Sequence, residues 1–240
     1  MDSTRTNLKT LRRDAIAQAF ERTKKEVCFP EGELVFITED RLDGALSMPR
    51  QCFIDDEPMG KSIGVQFTEE FKLFWLATFR QGLSFMLVNP TNGDIMGFRG
   101  ICTAFKEDKD DVNQIKDASL RKIFSILGVL AKEADFFGRY DIEECFYFLG
   151  LGVAKQYRKR GIAKRLMEAG IVFLRNLGVD PVYIKSEGTS NFSKRIFEQL
   201  GFETLAEIKY EEYEVDGEVV FKNTGEHKSV KAYGMKISKA

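Results

Sequence analysis

The chain has 240 residues with 36 lysines and arginines against 37 aspartates and glutamates, a length that suffices for one domain with a sizeable core. Its near-zero net charge argues against a general affinity for nucleic acid or an anionic membrane. Four scattered cysteines without a CxxC pair, together with the single histidine His227, argue against a zinc site or a disulfide framework.

The N-terminal half alternates helical patterns with strand-like runs. Residues 4–25 carry apolar side chains at helical spacing and predict an amphipathic helix, within an extension over residues 1–30. LVFIT predicts a strand, and EDRLDGALSM predicts a helix that Pro49 kinks or ends. CFIDDEPMGKSIGV predicts a loop, and Thr68 opens a helix with an aromatic face. LSFMLVN and DIMGFRGICTAF predict a hairpin closed by an Asn-Gly turn.

The C-terminal half has the pattern of alternating strands and helices. KEDKDDVNQ predicts a charged connector, and residues 119–134 predict a helix. CFYFLGLGV is an apolar run typical of a strand that is buried on both faces. Helices are predicted over 161–178 and 190–200, and strands at PVYIKS and within 202–213, 218–221 and 230–237. This order predicts one mixed α/β domain over residues 31–240 with a parallel pair in mid-sheet.

The stretch QYRKRGIAKR, residues 156–165, places five basic residues around one glycine directly after the apolar strand. A helix that begins near Gly161 presents unpaired N–H groups and the positive end of its dipole. The glycine permits close approach of a ligand to the backbone, and Ala163 keeps the first turn open. The pattern predicts an anion site with phosphate-attracting side chains at Arg158, Lys159 and Arg160.

RKRGIA, residues 158–163, resembles the pyrophosphate loop of the GNAT superfamily of acyl-CoA-dependent N-acetyltransferases. NFSKRIFEQLGFE is similar to the closing helix and strand of that superfamily, which usually end in Leu-Gly-Phe. RQCFIDDEPMGKSIGV, KEADFFGRY and FKNTGEHKSVKAYGMKI resemble segments of its insect-type arylalkylamine N-acetyltransferase branch. The resemblance spans roughly residues 35–237. It implies a central mixed, mostly antiparallel sheet with a splayed parallel pair, flanked by helices.

The resemblance also implies how the cosubstrate acetyl-CoA is bound. Backbone groups at the end of the central strand are expected to bind the pantetheine arm and the acetyl carbonyl, namely those of Leu151, Gly152 and Val153. The pyrophosphate is expected at the basic loop, formed by Arg158, Lys159, Arg160, Gly161, Ile162 and Ala163. Independently, glycines at 150 and 152 inside a strand indicate a bulge or a close backbone approach.

Transfer of an acetyl group to an amine requires a base for the ammonium proton and an acid for the leaving thiolate. The resemblance implies Glu57 as the base, whereas the residues alone also fit a solvated Asp-Glu-Pro turn. The tyrosine acid of many superfamily members is replaced by Phe197, and hydroxyls at Thr189 and Ser193, spaced i, i+4, are implied instead. Helix capping is the alternative for both hydroxyls: Thr189 or Ser190 is a plausible N-cap, whereas Ser193 lies inside the predicted helix.

The sequence therefore predicts acetyl transfer from acetyl-CoA to a small arylalkylamine such as dopamine or serotonin, with Phe53, Phe71 and Trp75 as aromatic pocket candidates. The alternatives are acetylation of polyamines or other small amines, and a non-catalytic CoA-binding module. A basic-patch nucleic-acid binder is disfavoured by the net charge. Without an apolar stretch of roughly 20 residues or a signal-peptide core, we expect a cytoplasmic monomer or weak dimer with no membrane, nucleic-acid or metal partner.

Overall fold

The helices and strands of the computed structural model are described for residues 7–108 and 111–238. The predicted helix start at residues 4–6 and residues 109–110 of the charged connector lie outside these ranges. The helices are α1 (Arg13–Glu26), α2 (Leu42–Pro49), α3 (Pro58–Ile63), α4 (Glu69–Arg80), α5 (Ala118–Ala134), α6 (Phe136–Tyr140), α7 (Ile162–Asn176) and α8 (Asn191–Gln199). The strands are β1 (Glu33–Phe36), β2 (Phe85–Val88), β3 (Ile95–Phe105), β4 (Glu144–Val153), β5 (Val182–Gly188), β6 (Glu203–Lys209), β7 (Glu214–Val215), β8 (Glu218–Val219) and β9 (Ser229–Ile237).

Seven of the strands form one sheet in the order β1-β2-β3-β4-β5-β9-β6. Neighbouring strands are antiparallel except β4 and β5, which run parallel. β7 and β8 form a separate two-stranded hairpin. The predicted mixed, mostly antiparallel sheet with one parallel pair and flanking helices is confirmed.

The parallel pairing ends well before β4 does. Residues 146–148 of β4 pair with residues 184–186 of β5, and β4 continues to Val153. On the opposite edge β4 stays paired with β3, where Leu149 is inserted as a bulge between the Gly100–Gly150 and Ile101–Phe148 pairs. A bulge bends its strand and increases the local twist. The parallel pairing therefore ends at Phe148, in agreement with the splayed pair that the resemblance implies.

Two glycines of β4 are required by close packing. A Cβ at Gly150 would lie 2.4 Å from Trp75 Cη2, and one at Gly152 would lie 2.6 Å from Cys52 Sγ. Both distances are far below ordinary van der Waals contact. The prediction that these glycines mark a bulge or a close approach is confirmed, and the neighbours that require them are side chains of this protein.

The N-terminal helix begins later than predicted. Residues 8–10 form a separate 3₁₀ turn capped by Asn7, and the Leu8 N–H donates to the Glu144 carboxylate at 3.1 Å. The predicted apolar face is buried in α1, and the Phe20 ring stacks on Phe36 with 3.8 Å between centroids. α1 thus shares the larger core of the sheet. The division of the chain at residue 30 stays a prediction.

The prediction of a loop between α2 and α4 is wrong. α2 ends at Pro49, and residues 50–54 continue as one turn of π-helix before α3 begins. α3 has a proline at its start and Gly64, with a φ of 68°, at its end, as helices often do. Its N-cap is Glu57, a residue type outside the usual capping set, so the sequence pattern does not announce the helix.

Candidate active site

Glu57 caps α3 and holds its carboxylate in a fixed orientation. Its Oε1 accepts the Met59 N–H at 3.1 Å, and its Oε2 accepts the Gly60 N–H at 2.6 Å. Gly60 cannot carry a side chain, because a Cβ there would lie 2.6 Å from the Phe53 carbonyl oxygen. Glu57 is only 9% exposed. The sequence E-P-M-G therefore builds a buried carboxylate rather than the solvated turn that was the alternative.

Burial raises the pKa of Glu57, and hydrogen bonds from Gly60, Met59 and Thr189 offset this only in part. A general base works best when its pKa lies near the working pH, so the shift is in the useful direction. A carboxylate offers about four acceptor positions. The Met59 and Gly60 N–H groups occupy one position on each oxygen, which leaves acceptor capacity for the Thr189 hydroxyl and for one further donor.

Thr189 and Tyr210 lie beside this carboxylate. The Thr189 hydroxyl acts on Glu57 as a hydrogen-bond donor, which lowers the pKa of the carboxyl. The Thr189 carbonyl in turn accepts the Tyr210 hydroxyl at 2.7 Å. Thr189 lies directly before Ser190, the N-cap of α8, whereas Ser193 lies in the first turn of that helix, so the catalytic roles of these two hydroxyls stay a prediction.

Ser193 lies in the first turn of α8 and forms a capping box with Ser190. Its N–H donates to Ser190 Oγ at 3.1 Å, and its own Oγ accepts the Ser190 N–H at 3.2 Å. The sequence predicts an N-cap at Thr189 or Ser190 and favours a catalytic role for Ser193. Ser190 is the N-cap, but Ser193 takes part in the same cap, so its hydroxyl has a structural role beside any chemical one.

Phe197, at the position where the resemblance implies a tyrosine in other members, is buried and stacks on Tyr233 with 4.7 Å between ring centroids. The three aromatic pocket candidates also pack on one another. Trp75 lies 5.1 Å from Phe53 and 6.3 Å from Phe71, measured between ring centroids. Phe71 and Trp75 are buried in the core, while Phe53 is half-buried. Of the three, Phe53 therefore retains surface that a ligand can reach.

The end of β4 and the basic loop lie next to each other in the chain. Leu151, Gly152 and Val153 pair with β3 through the Arg99, Phe98 and Gly97 positions, beyond the last β5 pair. The chain then forms a 3₁₀ turn, Lys155–Tyr157, and enters α7. The β4 edge that faced β5 is left open over these three residues in the described chain. The predicted strand-to-helix passage is confirmed, whereas the contacts of these residues with a ligand stay a prediction.

The head of α7 has the geometry of an anion site. Gly161 is its N-cap with a φ of 76°, so no side chain caps the first N–H groups. Lys159 also adopts a left-handed conformation, with a φ of 62°. Arg160 and Lys159 are exposed, Ile162 is buried in the core, and Ala163 is half-buried. Free N–H groups and flanking cations suit a diphosphate.

Asp56 links the basic loop to the segment that carries Glu57. Arg158 Nη2 lies 2.7 Å from Asp56 Oδ2, and Arg158 Nε donates to the Val153 carbonyl at 3.0 Å. Lys155 Nζ is 3.8 Å from the same carboxylate. The hydrogen bond to Asp56 raises the pKa of Arg158, which keeps its charge. The structure thus brings the β4 end, the loop and the residue beside Glu57 together.

Arg158→Ala should weaken acetyl-CoA binding by about tenfold at low salt and by less at high salt. The screening length falls from about 10 Å at 0.1 M to about 3 Å at 1 M, so an exposed cation loses its reach. Calorimetric titration with acetyl-CoA at both salt concentrations measures this. Arg80→Ala is the matched control, because Arg80 pairs with Glu39 at 3.4 Å outside the loop. A loss of affinity that does not depend on salt would instead mean that Arg158 acts structurally, through its hydrogen bonds to Val153 and Asp56.

Two further residues at or near this region belong to no motif of the sequence, namely Tyr210 and Arg99. Tyr210 falls in a run predicted as strand up to residue 213, but β6 ends at Lys209 and Tyr210 opens a 3₁₀ turn. Arg99 lies in β3 with its guanidinium buried, 4.6 Å from the centroid of the Phe148 ring. Burial lowers the pKa of Arg99 to about 9, so it remains charged at neutral pH. A single arginine inside the apolar run of β3 is the sequence feature that points to Arg99 as an unusual buried residue.

A cavity of about 190 Å³ lies between the end of α5, the start of α6 and strand β5. Its charged lining residues are two lysines and two carboxylates, namely Lys132, Lys185, Asp135 and Glu187. Within the described ranges, no group of three or more potential metal ligands comes together. Across those same residues, no helix is both long and apolar enough to cross a membrane.

Anion binding at α7 and proton acceptance at a buried carboxylate are the two functions that acyl transfer from CoA to an amine requires. The fold and these features suit a transferase of that class. The chain belongs to the acetyltransferase (GNAT) family, whose model matches residues 52–202. It is an N-acetyltransferase that uses acetyl-CoA, as the sequence predicts.

Solved structures show the same architecture. Arylalkylamine N-acetyltransferase 2 from Aedes aegypti is 27% identical and superposes with a TM-score of 0.79, over 86% of this chain and 99% of that one. The mosquito arylalkylamine N-acetyltransferase like 5b gives 22% identity and a TM-score of 0.78, over 86% and 100%. A Drosophila melanogaster polyamine N-acetyltransferase that forms N-acetylagmatine gives 19% and 0.74, over 86% and 100%. The last two likenesses show the shared fold alone.

Proposed function

We propose that this N-acetyltransferase acetylates the primary amine of a small arylalkylamine. The observation that carries the proposal is the surroundings of Glu57. The groups that act on this carboxylate are two backbone N–H groups and the Thr189 hydroxyl, all uncharged. A single buried carboxylate in a neutral setting suits an acceptor with one cationic centre, because a second ammonium would need a carboxylate of its own.

Two further observations support an aromatic monoamine over a polyamine. The Phe53 ring, four residues before Glu57, is half-buried and packs on Trp75, so it offers an aromatic surface to the acceptor. The 27% identical mosquito relative is described as an arylalkylamine N-acetyltransferase. Acetylation of a polyamine is the second candidate, since the polyamine enzyme shares the fold.

The proposed chemistry assigns each step to a residue of this chain. Acetyl-CoA supplies the acetyl group as a thioester. Glu57 takes a proton from the amine, directly or through water, at its open acceptor position. Thr189 orients the Glu57 carboxylate. As the amine nitrogen bonds to the acetyl carbon, the C–S bond of the thioester breaks, and the Ser193 hydroxyl passes a proton to the departing thiolate and regains one from water. Backbone groups of Leu151, Gly152 and Val153 hold the pantetheine arm, and residues 158–163 hold the pyrophosphate.

We also place the enzyme in the cytoplasm as a monomer or weak dimer that needs neither membrane nor nucleic acid. The cysteines support a reducing compartment, because all four are free thiols. Three of them, Cys52, Cys102 and Cys145, are buried, and burial raises the pKa of Cys52 to about 11. Such thiols are poorly reactive and play no part in the proposed transfer.

A thiol-release assay with acetyl-CoA and a panel of amines tests the acceptor class. We expect kcat/KM for tyramine or serotonin to exceed that for agmatine and putrescine by about tenfold or more. Burying an aromatic ring contributes about 1.5–3 kcal/mol, and about 1.4 kcal/mol corresponds to tenfold. Preference for agmatine or putrescine would establish the second candidate. Acetyl-CoA binding without turnover of any amine would indicate a non-catalytic module.

Ser193→Ala should lower kcat by about tenfold or more with little change in acetyl-CoA affinity, because it removes the proposed proton donor. It also breaks the capping box, which costs about 0.5–2 kcal/mol of stability. Ser190→Ala is the matched control, since it breaks the same cap and keeps the Ser193 hydroxyl. Steady-state kinetics and thermal unfolding of both variants separate the roles. Equal loss of kcat in the two variants would make capping the whole contribution of Ser193.

A further inference from the structure

Tyr210 is a buried tyrosine whose hydroxyl points at the main chain of the site. It is 1% exposed, and its hydroxyl donates to the Thr189 carbonyl at 2.7 Å. Its own N–H donates to the Lys228 carbonyl at 2.9 Å, which ties the 3₁₀ turn to the entry of β9. Its ring packs on Phe221 with 5.9 Å between centroids. Tyr210 is thus fixed at ring and backbone before its hydroxyl reaches Thr189.

The segment that Tyr210 contacts has no regular structure of its own. Thr189 lies between the end of β5 at Gly188 and the N-cap of α8 at Ser190. Gly188 pairs with Lys231 of β9, and Ser190 is held by its capping box, so the two neighbours are fixed by other contacts. The Tyr210 hydroxyl is the side-chain contact that fixes the peptide of Thr189 itself.

We propose that Tyr210 is a positioning residue: its hydroxyl holds the Thr189 main chain so that the Thr189 hydroxyl faces the Glu57 carboxylate. This inference rests on the proposed function, in which Glu57 is the base. Burial and the nearby Glu57 charge both raise the pKa of Tyr210, so the phenol stays protonated and remains a donor throughout the working range. Tyr210 therefore does not exchange protons with the substrate and acts through Thr189.

The pH dependence expected from this arrangement has a definite sign. A donated hydrogen bond favours the charged carboxylate and lowers its pKa, so loss of the Thr189 contact raises the pKa of Glu57 further. Tyr210 is the titratable group that faces Glu57. The charged residues of the elements packed against α3 are all exposed and do not contribute to this pKa: Arg50, Lys61, Arg121, Lys122, Lys132 and Glu133.

Tyr210→Phe should move the acid limb of the kcat/KM profile about half to one pH unit upward, the size expected when a hydrogen bond to a charged group is weakened. Thr189→Val should give the same shift or a larger one, whereas Thr189→Ser, which keeps the hydroxyl, should keep the wild-type profile. Adding Tyr210→Phe to Thr189→Val should cause no further shift, because both act through one contact. Tyr213→Phe is the matched control, since Tyr213 stacks on the same Phe221 at 6.0 Å.

The titration of Glu57 itself gives a readout without substrate. Glutamate labelled with ¹³C at the side-chain carboxyl, with the Glu57 signal assigned by its loss in Glu57→Gln, should titrate at higher pH in Tyr210→Phe than in wild type and in Tyr213→Phe. A Tyr210→Phe protein that is less stable but has an unchanged Glu57 titration would overturn the inference, and so would an equal shift in Tyr213→Phe. Failure of the wild type to acetylate any amine would instead overturn the proposed function.

Discussion

Glu57→Gln should lower turnover at neutral pH by about 10²- to 10⁴-fold, the usual contribution of a general base, while acetyl-CoA binds normally. Wild-type activity should rise with pH as Glu57 loses its proton, at a pH above the ordinary carboxyl range because burial raises its pKa. The variant should lack this limb. Its deficit should shrink at high pH, where free amine forms without help from the enzyme. Steady-state kinetics across pH and calorimetric titration measure both quantities.

Glu57 also caps α3, so Glu57→Gln can lower stability as well as remove the base. Glu57 accepts N–H groups on both oxygens, and the amide nitrogen of glutamine cannot accept either of them. Leaving one buried donor unpaired costs about 1–3 kcal/mol. Glu70→Gln is the matched control, because Glu70 also accepts two backbone N–H groups, one on each oxygen, from Lys116 and Asp117. If both variants lose stability and turnover alike, the cap and not the base explains the loss.

Gly161→Asp should weaken acetyl-CoA binding on the order of a hundredfold or more. A carboxylate about 4 Å from a phosphate charge is opposed by about 4 kcal/mol at an effective dielectric constant of 20. A Cβ at Gly161 meets no atom within 4 Å, so the substitution fits sterically. The φ of 76° is a conformation that aspartate and asparagine tolerate better than most residues. The fold should therefore survive, as judged by circular dichroism.

Gly161→Asn controls for the added side chain, because it has nearly the same shape and the same backbone strain without the charge. Its acetyl-CoA affinity should fall far less than that of Gly161→Asp. If the two variants bind equally, backbone strain rather than charge explains the loss. If Gly161→Asp binds acetyl-CoA as tightly as wild type, the head of α7 is not where the pyrophosphate lies.

The parts of the site that follow from local sequence were predictable. The apolar run of β4, the glycine at the head of α7 and the basic residues between them are contiguous, so their spacing alone gives a strand, a turn and an anion site. The order of elements likewise gives the mixed sheet with one parallel pair. The strand glycines at 150 and 152 were a valid signal of close packing.

The contacts that join distant segments were not predictable. Arg158 and Asp56 are 102 residues apart in sequence, and no pattern in either segment announces their ion pair. The capping box of α8 uses serine at both positions rather than the usual glutamate or glutamine at the second, so it gave no capping signal at Ser193. Tyr210 was hidden because a strand pattern continues past Lys209, where the chain turns into a 3₁₀ helix.

Product analysis of the purified protein tests the central claim most directly, namely that this chain transfers acetyl groups from acetyl-CoA to an arylalkylamine. Incubation with acetyl-CoA and tyramine, followed by mass spectrometry, should show N-acetyltyramine accumulating in step with free CoA. Glu57→Gln should form neither product at a comparable rate at neutral pH. Release of CoA without an acetylated amine, or binding of acetyl-CoA with no product from any arylalkylamine, would contradict the claim.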